Sequence, residues 1–396
     1  MPGYEIIGQE ELDGVKEALS KKMLLRYEHK DNSKVLEFEK RFAEYHGAEY
    51  ALAVSSGTAA LKVALAALGV GPGDEVITQG FTFIATWESI FDVGATPVFA
   101  EIDNTLCLDP NDLENKITPK TKAIIPVHMC GSSANIEQII TVADKHRIPV
   151  LEDTAQSCGG KFNGKGLGTF GKVGTFSFDA VKTITTGEGG MLLTNDKALH
   201  TRASEYHDHG HDHNPNVGRG LEKRSFIGFN YRMMELQGAI GLAQLNKLDK
   251  ILKIQREYKA RIKEVLARFS QITFRKLPDP SGDTATFIIF LLPDEQNARE
   301  FNRIMAAEGY GAVYWYDNDW HYYEKWEHLL DGKSLIRSGY PFKTPEGETR
   351  CSYEKSALPE TSAIMSRALT FQITLNMEEK LPGLLKAIEK AGEATR

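Results

Sequence analysis

Cysteine is scarce: the 396 residues hold four, Cys107, Cys130, Cys158 and Cys351, widely spaced and without a CxxC pair. That argues against a disulfide framework and offers no thiolate set for zinc, so buried free thiols are the default reading. Cationic excess is lacking too. With 47 Lys and Arg against 54 Asp and Glu, and a net charge of −7, the chain does not suit general nucleic-acid binding, which needs clustered cations. An acidic surface still leaves room for a local basic pocket. No apolar run approaches membrane-spanning length, and the start, MPGYEIIGQEELDG, has no basic head followed by an apolar core. A cytoplasmic location with no membrane partner is therefore expected. No GxGxxG follows the first expected strand, which counts against a nicotinamide dehydrogenase. Repeats and low-complexity stretches are absent.

What is present is an ordinary globular composition, 41% apolar and 26% charged, over a length that suits one large domain plus a smaller one. Amphipathic helices are predicted around Glu10 to Ala18 and Val35 to Tyr45, packing on the main domain or across a dimer. From Ala51 to Gln156 strands and helices alternate in the way that specifies a parallel sheet. The predicted strands are Ala51 to Ser55, Glu75 to Thr78, Pro97 to Glu101, Ala123 to Val127 and Pro149 to Leu151, with helices such as Thr82 to Val93 and Ile136 to His146 between them. Gly159 to Gly174 reads as a glycine-rich loop, Met191 to Thr194 as a strand and Lys197 to Tyr206 as a helix. Met234 to Phe269 is one long helical pattern. Beyond it lie a strand at Thr286 to Leu292, a helix at Glu295 to Glu308, a strand at Gly311 to Tyr316, a surface loop at Gly332 to Ser356 and a last helix at Glu378 to Ala391.

The chemistry concentrates between Val150 and Gly190. Asp153 follows an apolar strand, at the end where open α/β sheets place their ligands, and a carboxylate there can keep a pyridinium nitrogen protonated. Lys182 follows the strand Gly174 to Phe178 and precedes Thr183 to Gly190, too rich in Gly and Thr for a helix. A lysine in a partly dry site loses basicity and becomes a competent Schiff-base amine. Taken singly, an acid at a strand end is often a helix cap and most lysines are solvated. Their company decides the reading: Ser56, Gly57 and Thr58 open an Ala/Leu-rich helix whose N-terminus can receive a phosphate. A phosphate seat, a ring acid and an amine are what pyridoxal 5'-phosphate requires.

Six ordered motifs carry a resemblance: SSGTAAL (Ser55 to Leu61), FTFIAT (Phe81 to Thr86), EDTAQ (Glu152 to Gln156), FSFDAVK (Phe176 to Lys182), TTGEGG (Thr185 to Gly190) and GFNYRMMELQGA (Gly228 to Ala239). Together the sequence resembles the DegT/DnrJ/EryC1/StrS family of pyridoxal-phosphate sugar aminotransferases. The resemblance implies a fold-type-I, aspartate-aminotransferase-like α/β architecture. Residues 1–245 would hold the N-terminal helices and a large cofactor-binding domain with a mostly parallel sheet, 246–272 a connecting helix, and 273–396 a small C-terminal α/β domain.

It also implies roles. Lys182 would carry the cofactor and then move a proton, and lysine rather than the histidine of the family's dehydratases favours transamination. Asp153 would face the ring nitrogen, Gln156 the ring hydroxyl and Phe83 the ring face, while Ser177 would add a hydroxyl at the phosphate beside Ser56, Gly57 and Thr58. Asn230 matches a residue that reaches the neighbouring subunit's phosphate, which implies a homodimer with shared sites. The alternative for Asn230 is a turn residue. The tract His207 to Asn214 invites a metal, but alternating His and Asp give no defined tetrahedral set, so no metal is expected. His209 with Gly210 fits the family's active-site loop, and Arg219, Arg224 and Arg232 are candidate carboxylate partners. Of the aromatics between Tyr310 and Trp326, most should pack the interior and one or two should reach the substrate.

Within the family the sequence is most similar to members that convert 3,8-dideoxy-8-oxo-manno-octulosonate to its 8-amino sugar for lipopolysaccharide, with L-glutamate as donor. The run ALTFQITLNM (Ala368 to Met377) and the long loop before it depart from the family pattern, which puts the usual nucleotide pocket in doubt. A nucleotide-linked keto-sugar is the alternative acceptor, and a catalytically idle cofactor-binding regulator the alternative of another class.

Overall fold

The computed structural model describes residues 2–28, 32–218 and 220–396. Its strands are Tyr50–Val54 (β1), Glu75–Gln79 (β2), Thr96–Ala100 (β3), Thr121–Ile124 (β4), Leu151–Asp153 (β5), Lys161–Phe162 (β6), Lys165–Gly166 (β7), Val173–Ser177 (β8), Gly190–Thr194 (β9), Thr273–Phe274 (β10), Phe287–Leu291 (β11) and Ala368–Gln372 (β12). Two hydrogen-bonded groups, β1-β9-β8-β5 and β3-β2-β4, are joined by parallel bridges Ile124↔Val150 and Val127↔Asp153. The order of the large sheet is thus β1-β9-β8-β5-β4-β2-β3. Only β9 runs antiparallel to its neighbours. Strands β5, β8 and β9 are buried along their whole length, as central strands of a sheet covered on both faces must be. This is the α/β architecture of fold-type-I aminotransferases that the sequence implied.

The helices Gln9–Ser20, Lys34–His46 and Lys197–Tyr206 form where the periodicity placed them. The long helix runs Glu235–Leu266, and its Gly238 and Gly241 are where Lys34–His46 crosses. A Cβ on Gly238 would lie 2.6 Å from the Val35 amide nitrogen, and one on Gly241 2.5 Å from the Phe38 ring. Phe38 and Phe42 of the crossing helix are wholly buried against Phe176, Phe178 and Leu248. Burying each such ring is worth about 1.5–3 kcal/mol.

Four expectations shift. The strand expected at Pro149 to Leu151 is Leu151–Asp153, because Pro149 has no amide hydrogen and Val150 makes only a bridge; Asp153 is therefore the last residue of the strand itself. The glycine-rich loop contains the short hairpin β6-β7. Gly311 to Tyr316 is not a strand. Side chains rather than a backbone ladder tie it down: the Tyr314 hydroxyl donates to the Ser366 carbonyl at 2.6 Å and the Trp315 indole to Thr370 Oγ1 at 2.9 Å, with one bridge at Val313. The third strand of the small sheet β10-β11-β12 is instead β12, within the run that departs from the family pattern. The last helix begins at Leu381, with Pro382 in its first turn.

Residues Gly332 to Ser356 hold no helix or strand, as expected, yet they are more than surface. Phe342, Cys351 and Tyr353 pack against the core cluster containing Trp87, Phe91 and Phe99, and the Tyr353 hydroxyl donates to the Pro97 carbonyl at 2.8 Å. No helix among the described residues is long and apolar enough to cross a membrane.

Candidate active site

Segments from along the whole chain converge on one cavity of about 510 Å³. The helix Gly57–Ala67 opens it on one side. Ser56 caps that helix, its hydroxyl accepting from the Ala59 amide at 3.0 Å, which leaves the amides of Gly57 and Thr58 at the cavity wall. Gly57 is held to its size: a Cβ there would stand 2.7 Å from Cβ of Ser177. The end of β8 thus brings the Ser177 hydroxyl beside the helix start, and an anion seated there meets backbone amides at the positive end of the helix.

Asp153 lines the same cavity. Asp153 Oδ1 accepts from the Ala155 amide at 3.1 Å and Oδ2 from the Thr86 hydroxyl at 2.9 Å, and that hydroxyl is 2.8 Å from Thr82 Oγ1. Burial pushes the Asp153 carboxyl up, opposed by these two donors and by Lys182 and His128. Its strand neighbour Glu152 points the other way and anchors the strand end. It accepts from the amides of Gly168, Phe170 and Gly171 and pairs with His128 Nε2 at 3.0 Å, the Glu152 and His128 side chains both wholly buried.

Lys182 occupies the loop after β8. Desolvation lowers its ammonium, while Asp153 and Asp179 oppose that shift. Its Nζ lies 5.9 Å from the centroid of Phe83, and Phe83 lines the cavity. Gln156 has a fixed orientation. Its side-chain oxygen accepts from the amide of Cys130 at 3.1 Å, so its NH₂ group is the end left to donate into the cavity. Cys130 holds this position with a left-handed backbone, φ 55°. A buried carboxylate, a desolvated amine, a face-on aromatic and bare amides fit pyridoxal phosphate in size and donor chemistry.

All of Ser56, Gly57, Thr58, Phe83, Asp153, Gln156, Ser177 and Lys182 therefore meet at one cavity. Asn230, His209, Arg224 and Arg232 do not line it within their own chain. Asn230 bridges to Asp208, the guanidinium of Arg232 is paired with the Asp208 carboxylate, and Arg224 bridges to His211. Arg219 lies outside the described residues. Three histidines of the tract are engaged by neighbours: His207 Nδ1 bonds the Ser204 carbonyl, His213 stacks on Tyr27 at 4.6 Å, and His211 lies 3.3 Å from Glu222. Among the described residues no three His, Cys, Asp or Glu side chains form a metal-holding group.

The sequence reading missed part of the wall. Tyr4, Trp320, His321 and Gln372 line the same cavity. Trp320 and His321 arrive because residues 320–323 pair with 80–84: the Thr82 and Ile84 amides donate to the carbonyls of His321 and Trp320, both at 3.0 Å, and Phe81 bridges Tyr322. The Phe83 ring then lies 5.6 Å from Trp320 and 5.3 Å from His321. Only the aromatic density of that stretch hinted at it.

A family profile described as DegT/DnrJ/EryC1/StrS aminotransferase matches residues 5–336. A GDP-perosamine synthase of Escherichia coli O157:H7 is 45% identical over 229 residues, 56% of this chain and 60% of that protein. The spore coat polysaccharide biosynthesis protein SpsC of Bacillus subtilis is 41% identical over 280 residues, 69% of this chain and 68% of that protein. The match to the GDP-perosamine synthase thus spans about three-fifths of its length. Among solved structures, an aminotransferase from Psychrobacter cryohalolentis superimposes with a TM-score of 0.82 at 26% identity, covering 98% of each chain.

Proposed function

From the premise that the chain belongs to the DegT/DnrJ/EryC1/StrS aminotransferase family, we propose that it uses pyridoxal 5'-phosphate to move an amino group from L-glutamate to the carbonyl of a deoxysugar. The observation that carries this is Asp153 and Lys182 facing one cavity whose far wall is the start of the helix Gly57–Ala67. When bound, the cofactor supplies an aldehyde for carrying nitrogen and a ring that accepts electrons. Asp153 holds a proton on the ring nitrogen. Lys182, its basicity lowered by burial, is placed to take a proton from the donor's α-carbon and return it elsewhere. Thr86 and the Ala155 amide keep the Asp153 carboxylate aimed; Gln156 would donate to the ring oxygen, Phe83 would cover one face, and the amides of Gly57 and Thr58 with Ser177 would hold the phosphate.

The acceptor we propose is free 3,8-dideoxy-8-oxo-manno-octulosonate, in lipopolysaccharide biosynthesis. Its support is where the family match stops: residue 336, near the start of the long loop and ahead of β12, whose Gln372 reaches the cavity. A GDP-linked keto-sugar is the second reading, favoured by the resemblance to GDP-perosamine synthases. Homodimerisation completes the site in both readings. Asn230, His209 and the arginines near them would serve the partner's cavity, since the described cavity wall holds no arginine while both L-glutamate and the octulosonate are anions. Leu12, Leu19, Met23 and Met234, all exposed, offer apolar surface for that contact.

The test is direct. The absorbance of the cofactor-loaded protein should change on adding L-glutamate, and a panel of free and nucleotide-linked keto-sugars should then restore it for one class. Activity with nucleotide sugars alone would rule out the free octulosonate. Mixing inactive Lys182→Ala and Asn230→Ala proteins should recover activity if sites are shared, and no recovery would remove that part of the proposal.

A further inference from the structure

We propose that Tyr4 and Trp320 form an aromatic subsite that receives the sugar ring of the amino acceptor and is not used by the amino donor. The inference rests on the reading of the protein as a sugar aminotransferase. Three large side chains at the mouth of the cavity are exposed: Tyr4 at 52%, Val181 at 54% and Trp320 at 55%. A single exposed apolar residue is ordinary, but three around one opening mark a surface awaiting a ligand.

Tyr4 is held there by a segment otherwise fully engaged. The Gly3 amide donates to the Lys182 carbonyl at 2.9 Å, and a Cβ on Gly3 would lie 2.8 Å from that oxygen, so the chain lies directly on the lysine's backbone. Glu5 Oε2 accepts from the amides of Leu375 and Asn376 at 2.9 and 3.1 Å. The Ile6 carbonyl accepts from Lys247 Nζ at 2.9 Å. These three ties join the reacting lysine's loop, the run after β12 and the long helix. Tyr4 takes no part in them and turns to the cavity.

Trp320 is placed from the opposite side by the pairing of 320–323 with 80–84. Its ring is 5.6 Å from Phe83, whose own centroid is 5.9 Å from Lys182 Nζ, so the subsite begins one ring beyond the amine. A sugar ring presents an apolar C–H face and a rim of hydroxyls. Tyr and Trp match the face at low entropic cost, and the Tyr4 hydroxyl and the nearby Gln372 amide can meet the rim. L-Glutamate has no such face.

Because transfer occurs in two halves, each can be measured alone in the cofactor-loaded protein. The donor half is the absorbance change with L-glutamate. The acceptor half is its reversal by the free 8-oxo-octulosonate or by a GDP-linked 4-keto-6-deoxy-sugar, whichever the wild type accepts. Tyr4→Ala and Trp320→Ala should each weaken the acceptor half by roughly tenfold in kcat/KM, while the donor half is unchanged. Tyr4→Phe should keep most of the wild-type value. Calorimetric titration with the parent sugar of the accepted class, which carries a hydroxyl in place of the reacting carbonyl, should show the same loss of affinity without turnover. Equal slowing of both halves, or an acceptor half unaffected by either alanine, would overturn the subsite while leaving the transaminase reading intact. A wild type that passes nitrogen to neither sugar class would overturn both.

Discussion

The two ends of the cavity are built differently. The end we assign to the cofactor comes from side chains at or just past strand ends of one sheet and from the start of one helix: Asp153 on β5, Ser177 on β8, Ser56 to Thr58 after β1. Asp153 and Ser177 are buried there, and Asp153 is held twice, by Thr86 and the Ala155 amide. The end we propose for the acceptor is gathered from Tyr4, Trp320 and Gln372, far apart in the chain, and two of the three stand open to solvent. Rigid placement suits a group bound once and kept; an open aromatic wall suits a sugar that enters and leaves at every turnover.

Breaking the cofactor end should cost most. Lys182→Ala should stop amino transfer, with roughly 10²–10⁴-fold lost from proton transfer alone, measured as amino-sugar product by mass spectrometry. Full transfer by that variant would remove the basis of the mechanism. Gly57→Ala comes next. With its Cβ 2.7 Å from Ser177 Cβ, something must shift, and overpacking of this kind costs about 1–3 kcal/mol. The expected readout is cofactor affinity lowered by about tenfold or more, by equilibrium dialysis.

The acceptor end can be sharpened through His321. Burial, with Lys182 nearby, pushes its ring down to about 3. The unfolded chain takes up this proton near pH 6.5 and the folded chain does not, so stability falls as pH drops from about 6.5 toward 3, by up to about 1.4 kcal/mol per pH unit. Denaturant unfolding of His321→Phe should show a shallower acid slope than wild type, and an identical slope would mean that the ring is solvated. The smallest effect is expected from Thr86→Val. It removes one of two donors to Asp153, worth about 1 kcal/mol, and should slow the donor half several-fold without changing acceptor affinity. A change in acceptor affinity would show that the two ends are not separable.

The same contrast explains what the sequence made legible. Asp153, Lys182 and the Ser56–Thr58 helix start could be read because each stands beside its own strand, and apolar runs with glycine stops mark such strand ends plainly. The helices Ile136–His146 and Lys197–Tyr206 were legible for the same local reason. Trp320 and His321 were not, because what fixes them is an irregular pairing with residues 80–84, 240 residues earlier, that leaves no periodic pattern. Gly311 to Tyr316 misled because its unbroken run of valine and aromatic residues looks like a strand, although Tyr314 and Trp315 attach through their polar tips. Gln372 was hidden inside a run noted only for its departure from the family pattern. Tyr4 gave no signal, since a tyrosine ahead of a helix is read as a surface residue.

The helix Glu235–Leu266 belongs to two interiors at once. Its Leu242 to Leu252 pack with Phe38 and Phe176, its Ile262 to Leu266 with Phe290 and Phe371, and Gln255 between them donates to the Ile373 carbonyl at 2.7 Å. At 32 residues it is a beam of about 48 Å without a break. Jaw-like closure of the C-terminal sheet over a substrate would have to bend that beam, so adaptation to cargoes of different size is left to loop side chains at the rim. Engineering a wider choice of cargo therefore calls for altering the rim, since loosening a joint would achieve little.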